Sequence, residues 1–220
     1  AELLRLVPGY YVGGYNGANP IAVYHAPLDE FGTRNLLLID GRPAYSAYYF
    51  GGTSRGLMAV DPEDVERVEV LRGANSAAFG ANAMFGVINI VTRHSADTLG
   101  NSATVRVGEG GVRDLRLSLG RGDERLSYRL SVARRGDDGL PELFDSRRLD
   151  QLRLRVDARP ANGDEVQLET GVSRLYAGDG YEGDVGNPAR TVGWRDWFLN
   201  AQWRHRVSDQ EQLKLSVSAS

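Results

Sequence analysis

Val65-Glu66-Arg67-Val68-Glu69-Val70-Leu71-Arg72-Gly73 opens the stretch on which the fold turns, and Gly86-Val87-Ile88-Asn89-Ile90-Val91-Thr92-Arg93 closes it. The first run has apolar residues at 65, 68, 70 and 71, so it starts off-period and becomes strand-like. The second is β-branched and reads as a strand. Between them Ala74 to Asn82 is small and polar, ending on a Gly-Ala-Asn turn. Working outward, Asp61-Pro62-Glu63-Asp64 sets a capping Asp before a Pro at the first helical position, which predicts a short helical turn. Leu36-Leu37-Leu38-Ile39 is a continuous apolar run closed by Asp40-Gly41, the pattern of a buried strand ending in a turn.

Beyond residue 95 the pattern becomes regular. Leu126, Tyr128, Leu130 and Val132 alternate with Ser127, Arg129 and Ser131. Leu152, Leu154, Val156 and Ala158 alternate with Arg153, Arg155 and Asp157. Val166, Leu168 and Val172 oppose Glu165, Gln167 and Glu169. Leu115, Leu117, Leu119 and Leu213, Leu215, Val217 continue the theme. A period of two means antiparallel strands with one apolar and one polar face. Connections are tight at 121–124, 161–164 and 208–210, and long at 137–146 and 178–190. Short turns at one end and long loops at the other suit an up-and-down membrane barrel. A soluble sandwich with one wet face produces the same alternation, and the charged set Arg129, Arg153, Arg155, Glu165, Glu169 and Arg204 suits either a solvent face or a watery lumen.

Composition narrows the classes. With 25% charged and 41% hydrophobic residues the chain is neither a disordered tail nor a helical membrane protein. Barrel strands need only about 9–11 residues each, so the lack of a long apolar run leaves a barrel open. A chain with no Cys has no disulfide scaffold, thiolate metal site or thiol nucleophile. A net charge of −3 gives no reason to expect nucleic acid. The start at Ala1-Glu2-Leu3-Leu4-Arg5 reads as a trimmed or processed product.

Three ordered motifs then resemble one family. Leu4-Arg5-Leu6-Val7-Pro8-Gly9 followed by Val12 resembles the opening of the plug body of TonB-dependent outer-membrane receptors. Leu37-Leu38-Ile39-Asp40-Gly41-Arg42-Pro43 resembles their central strand and turn. The 65–73 run, Gly80-Ala81-Asn82-Ala83 and the 86–93 run resemble the plug's C-terminal signature almost position for position. Ala74 stands where the family usually has Pro, and Asp29 to Arg34 replaces a short Arg-Gly motif. The N-terminal coupling box and most barrel strands are not among these residues. The resemblance implies an α+β plug domain over 1–95, followed over 96–220 by antiparallel transmembrane β-barrel strands, a partial barrel of about six or seven by their period. Far-ranging expectations follow from it: an outer-membrane receptor of a Gram-negative bacterium, energy-coupled uptake of a ferric siderophore, a TonB-type periplasmic partner, and contact with outer-membrane lipid. The alternative is a soluble β-sandwich binding or adhesion module.

The resemblance also nominates residues. Tyr45, Tyr48, Tyr49 and Phe50 would lie on an apical plug loop, where rigid amphipathic rings suit a ligand; Tyr10, Tyr11 and Tyr15 would form a second such loop. Arg72, with Glu69, would act as a lock between plug and barrel wall. The bland readings are packed rings and solvated strand charges. No metal is expected: the acids of 137–145 and 179–184 fit no EF-hand, and His25, His94 and His205 lack ligand spacing. No cofactor or enzyme is expected either, since Gly13-Gly14-Tyr15-Asn16-Gly17 and Gly108-Glu109-Gly110-Gly111 lack the P-loop and dinucleotide fingerprints. If the strands after 95 are a piece of a barrel, Leu213–Ala219 should be an exposed edge.

Overall fold

The computed structural model describes residues 5–14, 20–24, 34–44, 60–160 and 163–220. These divide into two compact units, Ala1–Thr92 with Gly139–Asp145, and Arg93–Asp138 with Ser146–Ser220.

In the first unit, strand β1 (Tyr10–Gly14) pairs antiparallel with β2 (Pro20–Tyr24). Tyr10 and Tyr11 are therefore strand residues, not part of an apical loop, and Tyr15 lies outside the described residues. A four-stranded sheet joins β3 (Asn35–Ile39), β4 (Arg42–Pro43), β5 (Val65–Arg72) and β6 (Gly86–Thr92) in the order β4-β3-β6-β5. The two apolar runs of the sequence are direct parallel neighbours here: Leu36 lies opposite Val87 and Ile39 opposite Ile90. Both faces of β3 are covered, which is why it reads as an unbroken aliphatic run rather than an alternating one. Leu36, Leu38, Ala83 and Val87 form the core beneath it.

Local chemistry explains the joints of this unit. Asp40 and Gly41 both take positive φ (49° and 78°) to turn β3 into β4, a shape Asp-Gly pairs adopt at little cost. The Asp40 carboxylate accepts from the Thr92 amide (2.9 Å) and hydroxyl (2.8 Å), tying the turn to the end of β6. Asp61 caps the 3₁₀ turn Pro62–Asp64 by accepting from the Glu63 amide at 3.0 Å, as its spacing predicted. The only described α-helix is one turn, α1 (Ser76–Phe79).

The second unit is a meander of antiparallel strands: β7 (Gly100–Gly108), β8 (Val112–Gly122), β9 (Leu126–Asp137), β10 (Arg147–Ala158), β11 (Asp164–Asp179), β12 (Arg190–Arg206) and β13 (Gln212–Ala219). Every neighbour in sequence is a neighbour in the sheet, in the order β13-β12-β11-β10-β9-β8-β7. The sheet is open, with β7 and β13 at its edges, and all of β13 is exposed.

The two faces of this sheet reverse the usual rule of burial. Ser127, Arg129, Ser131, Gln151, Arg153, Arg155, Asp157, Gln167 and Glu169 are buried. Leu126, Leu130, Leu152, Val166, Val172 and Leu215 on the opposite face are exposed, and Leu154 is half-exposed. A soluble sandwich would put its Leu and Val side chains inside, so the sandwich alternative fails on this point. An apolar outer face over a polar inner one is the pattern of a membrane barrel.

Candidate functional site: a polar barrel wall with a buried clamp

The inner face of the sheet is built by strand alternation alone. Once Leu154 and Val156 point outward, Arg153, Arg155 and Asp157 must point inward. Register then brings partners together: Arg155 lies opposite both Arg129 and Glu169, and Asp157 opposite both Ser127 and Gln167.

The densest contacts gather around Asp157. The Arg155 guanidinium grips its carboxylate with two parallel bonds, Nε to Oδ2 at 2.8 Å and Nη2 to Oδ1 at 3.0 Å. The remaining arm of the fork, Nη1, donates to Glu169 Oε1 at 2.8 Å. One guanidinium thus neutralises parts of two buried carboxylates in a bidentate geometry that Lys could not supply. The side chains of Arg155, Asp157 and Glu169 are 8%, 5% and 2% exposed, so removal of one partner would strand a charge away from water.

This cluster holds the segment that leads from β6 into β7. Ser95, wholly buried, donates to Asp157 Oδ2 through both its amide (2.8 Å) and its hydroxyl (2.6 Å). Because the Ser95 proton is thus committed, the 2.7 Å contact with Ser127 has the Ser127 hydroxyl as donor. His94 Nδ1 accepts from the Ala96 amide at 3.1 Å, capping the 3₁₀ turn Ser95–Thr98. A neutral ring then carries its proton on Nε2, which lies 3.6 Å from Asp157 Oδ1. Arg129 Nη1 donates to the Arg93 carbonyl and to Thr98 Oγ1, both at 3.0 Å. The turn also needs Gly120 on β8: a Cβ there would collide with the Thr98 carbonyl. Residues 93–98 are clamped from three neighbouring strands.

Other inner-face groups have no such partners. Gln167 Nε2, Ser173 Oγ and Asn200 Nδ2 are buried without a hydrogen bond among the described residues. At the short-turn end a cavity of about 660 Å³ is lined by charged side chains, including Arg159, Glu165 and Arg204. Arg159 and Arg204 both reach Glu165, at 3.6 and 3.4 Å. Ligand pockets for drug-sized molecules are lined mainly by apolar groups, and this recess is not.

The residues nominated from the sequence fall as follows. Tyr45, Tyr48, Tyr49 and Phe50 lie outside the described residues. Glu69 sits on β5 opposite Asn89, accepting from Asn89 Nδ2 (2.9 Å) and Arg67 Nε (2.8 Å). The amide of Asn89, and after it the guanidinium of Arg67, hold its carboxyl below the usual carboxylate range. Arg72 ends β5 opposite Gly86, on the other face of the strand from Glu69, and is exposed. Glu69 and Arg72 are not brought together. Glu66 and Arg67 pair on the surface at 2.8 Å. The clamp was only partly legible: Arg129, Arg155 and Glu169 stand out as charges on an alternating strand, whereas Ser95 carries no signal, being 62 residues from Asp157.

A small separate sheet followed by a membrane-barrel wall on one chain is the layout of a plugged outer-membrane barrel. Residues 1–87 match the TonB-dependent receptor plug domain, so this part of the chain belongs to that domain family, and the proteins the chain resembles are outer-membrane receptors of Gram-negative bacteria. The ferric enterobactin receptor PirA of Pseudomonas aeruginosa is 34% identical over 146 residues, which is 59% of this chain and 20% of that protein. The iron-regulated outer membrane virulence protein of Vibrio cholerae is 26% identical over 225 residues, 93% of this chain and 32% of its own length. The chain therefore spans about a fifth to a third of these relatives. Among solved structures, the copper transporter OprC superposes with a TM-score of 0.76 at 16% identity, covering 99% of this chain and 34% of that one.

Proposed function

We propose that this chain is the plug (residues 1–95) and the first wall strands (96–220) of a receptor that takes up a ferric siderophore, driven through a TonB-type periplasmic partner. The observation that carries the reading is the reversed sheet, apolar outside and polar inside, on the same chain as the plug. The substrate class rests on the relative named a ferric enterobactin receptor. In this reading the aromatic run Tyr45, Tyr48, Tyr49 and Phe50 contacts ligand. Arg72, with Glu69, locks the plug to the barrel wall, the arginine through wall carboxylates.

Uptake of radiolabelled ferric siderophore by cells expressing the full-length receptor tests it. Uptake should require both the receptor and the energy-coupling partner. Tyr48→Ala with Tyr49→Ala should weaken siderophore binding while barrel assembly, read as heat-modifiable gel mobility, stays intact. Uptake that persists without the partner would end the reading; unchanged affinity in the double variant would return those rings to a packing role.

A further inference from the structure

The outward face of the β7–β13 sheet does not end alike at its two margins. On β12 the apolar stretch runs from Trp203 to Trp197, six residues or roughly 20 Å along a strand. Tryptophans at both limits suit the two membrane interfaces. Beyond Trp203, toward the short turns, the outward side chains include Asp164 and His205, which bond to one another at 2.7 Å. Beyond Trp197, toward the long loops, the outward face turns to arginine.

There Arg134, Asp150, Arg174 and Arg195 form one cross-strand row, each directly opposite the next. Arg134 bonds to Asp150, and Arg148, one row further on, reaches the same carboxylate at 3.6 Å while its guanidinium lies 5.0 Å from the centre of the Tyr176 ring. Asp150 is thus shared by two arginines. Arg174 and Arg195 face each other across β11 and β12, exposed, and make no ion pair among the described residues. Like charges directly opposite on one face of a sheet repel. Arg134, Arg174 and Arg195 thus share a row with Asp150, with Arg148 one row beyond, so four guanidinium groups stand near a single carboxylate. The shared row lies two residues or roughly 7 Å past the last apolar row. That is the depth of a lipid headgroup.

We propose that Arg174 and Arg195, with Arg148 beside them, bind the phosphate of a phosphorylated lipid in the leaflet facing the long loops. Its acyl chains would lie on Val172, Trp197 and Leu199. The phosphate supplies the counter-charge that the Arg174–Arg195 pair lacks within the chain, and guanidinium forks bind phosphate oxygens two at a time. The inference rests on the reading of this sheet as a membrane wall, not on the identity of the transported ligand.

Native mass spectrometry of the full-length receptor in uncharged detergent tests it, with lipid A (a bis-phosphorylated glucosamine lipid) as probe and phosphatidylethanolamine and inorganic phosphate as controls. The receptor should retain lipid A in preference to phosphatidylethanolamine, and millimolar inorganic phosphate should not displace it. Arg174→Gln with Arg195→Gln should weaken retention about tenfold or more, the scale of losing charge-assisted bonds. Arg174→Lys with Arg195→Lys, which keeps the charge should the first variant not assemble, should weaken it less. Equal retention by wild type and either double variant would overturn the proposal, as would equal retention of both lipids. Displacement by inorganic phosphate would identify a site for the free ion instead. Heat-modifiable mobility and siderophore uptake are read on the same samples. A receptor that keeps lipid A but transports no siderophore would sink the uptake reading alone.

Discussion

β3 and β10 are both interior strands of their sheets, yet they bury opposite kinds of side chain. In β3, Leu36, Leu37, Leu38 and Ile39 are all buried, and no polar face exists. In β10, Gln151, Arg153, Arg155 and Asp157 are buried, while Leu152 is exposed and Leu154 half-exposed. The difference lies in what each strand meets. β3 has protein on both faces and obeys the rule that apolar area leaves water. β10 belongs to a wall whose outer solvent is hydrocarbon, so its leucines need no protein cover. Its polar inner face then needs internal partners, which the Asp157 cluster provides.

The largest break in that comparison should come from the buried charges. Arg155→Ala leaves Asp157 and Glu169 without their shared cation and should cost about 3–5 kcal/mol, the scale for breaking one side of a buried ion pair. Unfolding of the full-length receptor in denaturant measures it. Hydrogen exchange over residues 93–98 should rise in the same variant, since Ser95 hangs on the Asp157 carboxylate that Arg155 orients. A loss well under about 1 kcal/mol would mean that water reaches the cluster and the clamp is weak.

The next test addresses the outer face. Leu154→Arg places a charge at mid-membrane and should cost about 2–4 kcal/mol in the assembled receptor. A cost near zero would show that this face is wet, and the contrast with β3 would then disappear.

A subtler contrast uses volume instead of charge. Leu38→Phe forces extra atoms into a closed core and should cost about 1–3 kcal/mol. Leu154→Phe adds the same atoms against fluid acyl chains, which move aside, and should be nearly neutral. Parallel unfolding of the two variants decides it; equal penalties would mean that Leu154 packs against protein.

These contrasts also mark what the sequence could disclose. Period-two alternation in 126–132 and 152–158 fixed the strands and sorted each residue to a face. It could not say which face was buried, because the same alternation serves a soluble sheet. The three plug motifs, at 4–12, 37–43 and 65–93, tipped the balance toward a membrane. β7 was legible in principle, with Ala103, Val105 and Val107 alternating, but its Gly and Ser content masks it. The β1–β2 hairpin was hidden by the Gly-rich stretch around Gly13 and Gly14. The clamp was the least legible feature. Asp157 is one of many charges on alternating strands, and its meaning comes from register with Ser127 and from Ser95, which no local pattern connects to it.

The smallest expected effect lies on the plug sheet, and its sign can be worked out. Asn89 first, then Arg67, lowers the Glu69 carboxyl below its ordinary value. A carboxyl lowered in the folded state favours folding above its unfolded value, and that contribution fades as pH falls through the lowered one. The Glu69 side chain is 47% exposed, so water screens the pair and the contribution should be only about 0.2–1 kcal/mol. Arg67 also holds Glu66 at 2.8 Å, which reduces what the loss of Glu69 alone can do. Glu69→Gln keeps an oxygen for Asn89 and removes the charge. Wild type should therefore be the more stable at pH 7, with the gap to the variant closing as the carboxylate protonates in acid. Thermal unfolding of both receptors across that range reads the gap. A difference that stays constant with pH would assign Glu69 a steric role and leave its ion pair with Arg67 energetically silent, as most exposed pairs are.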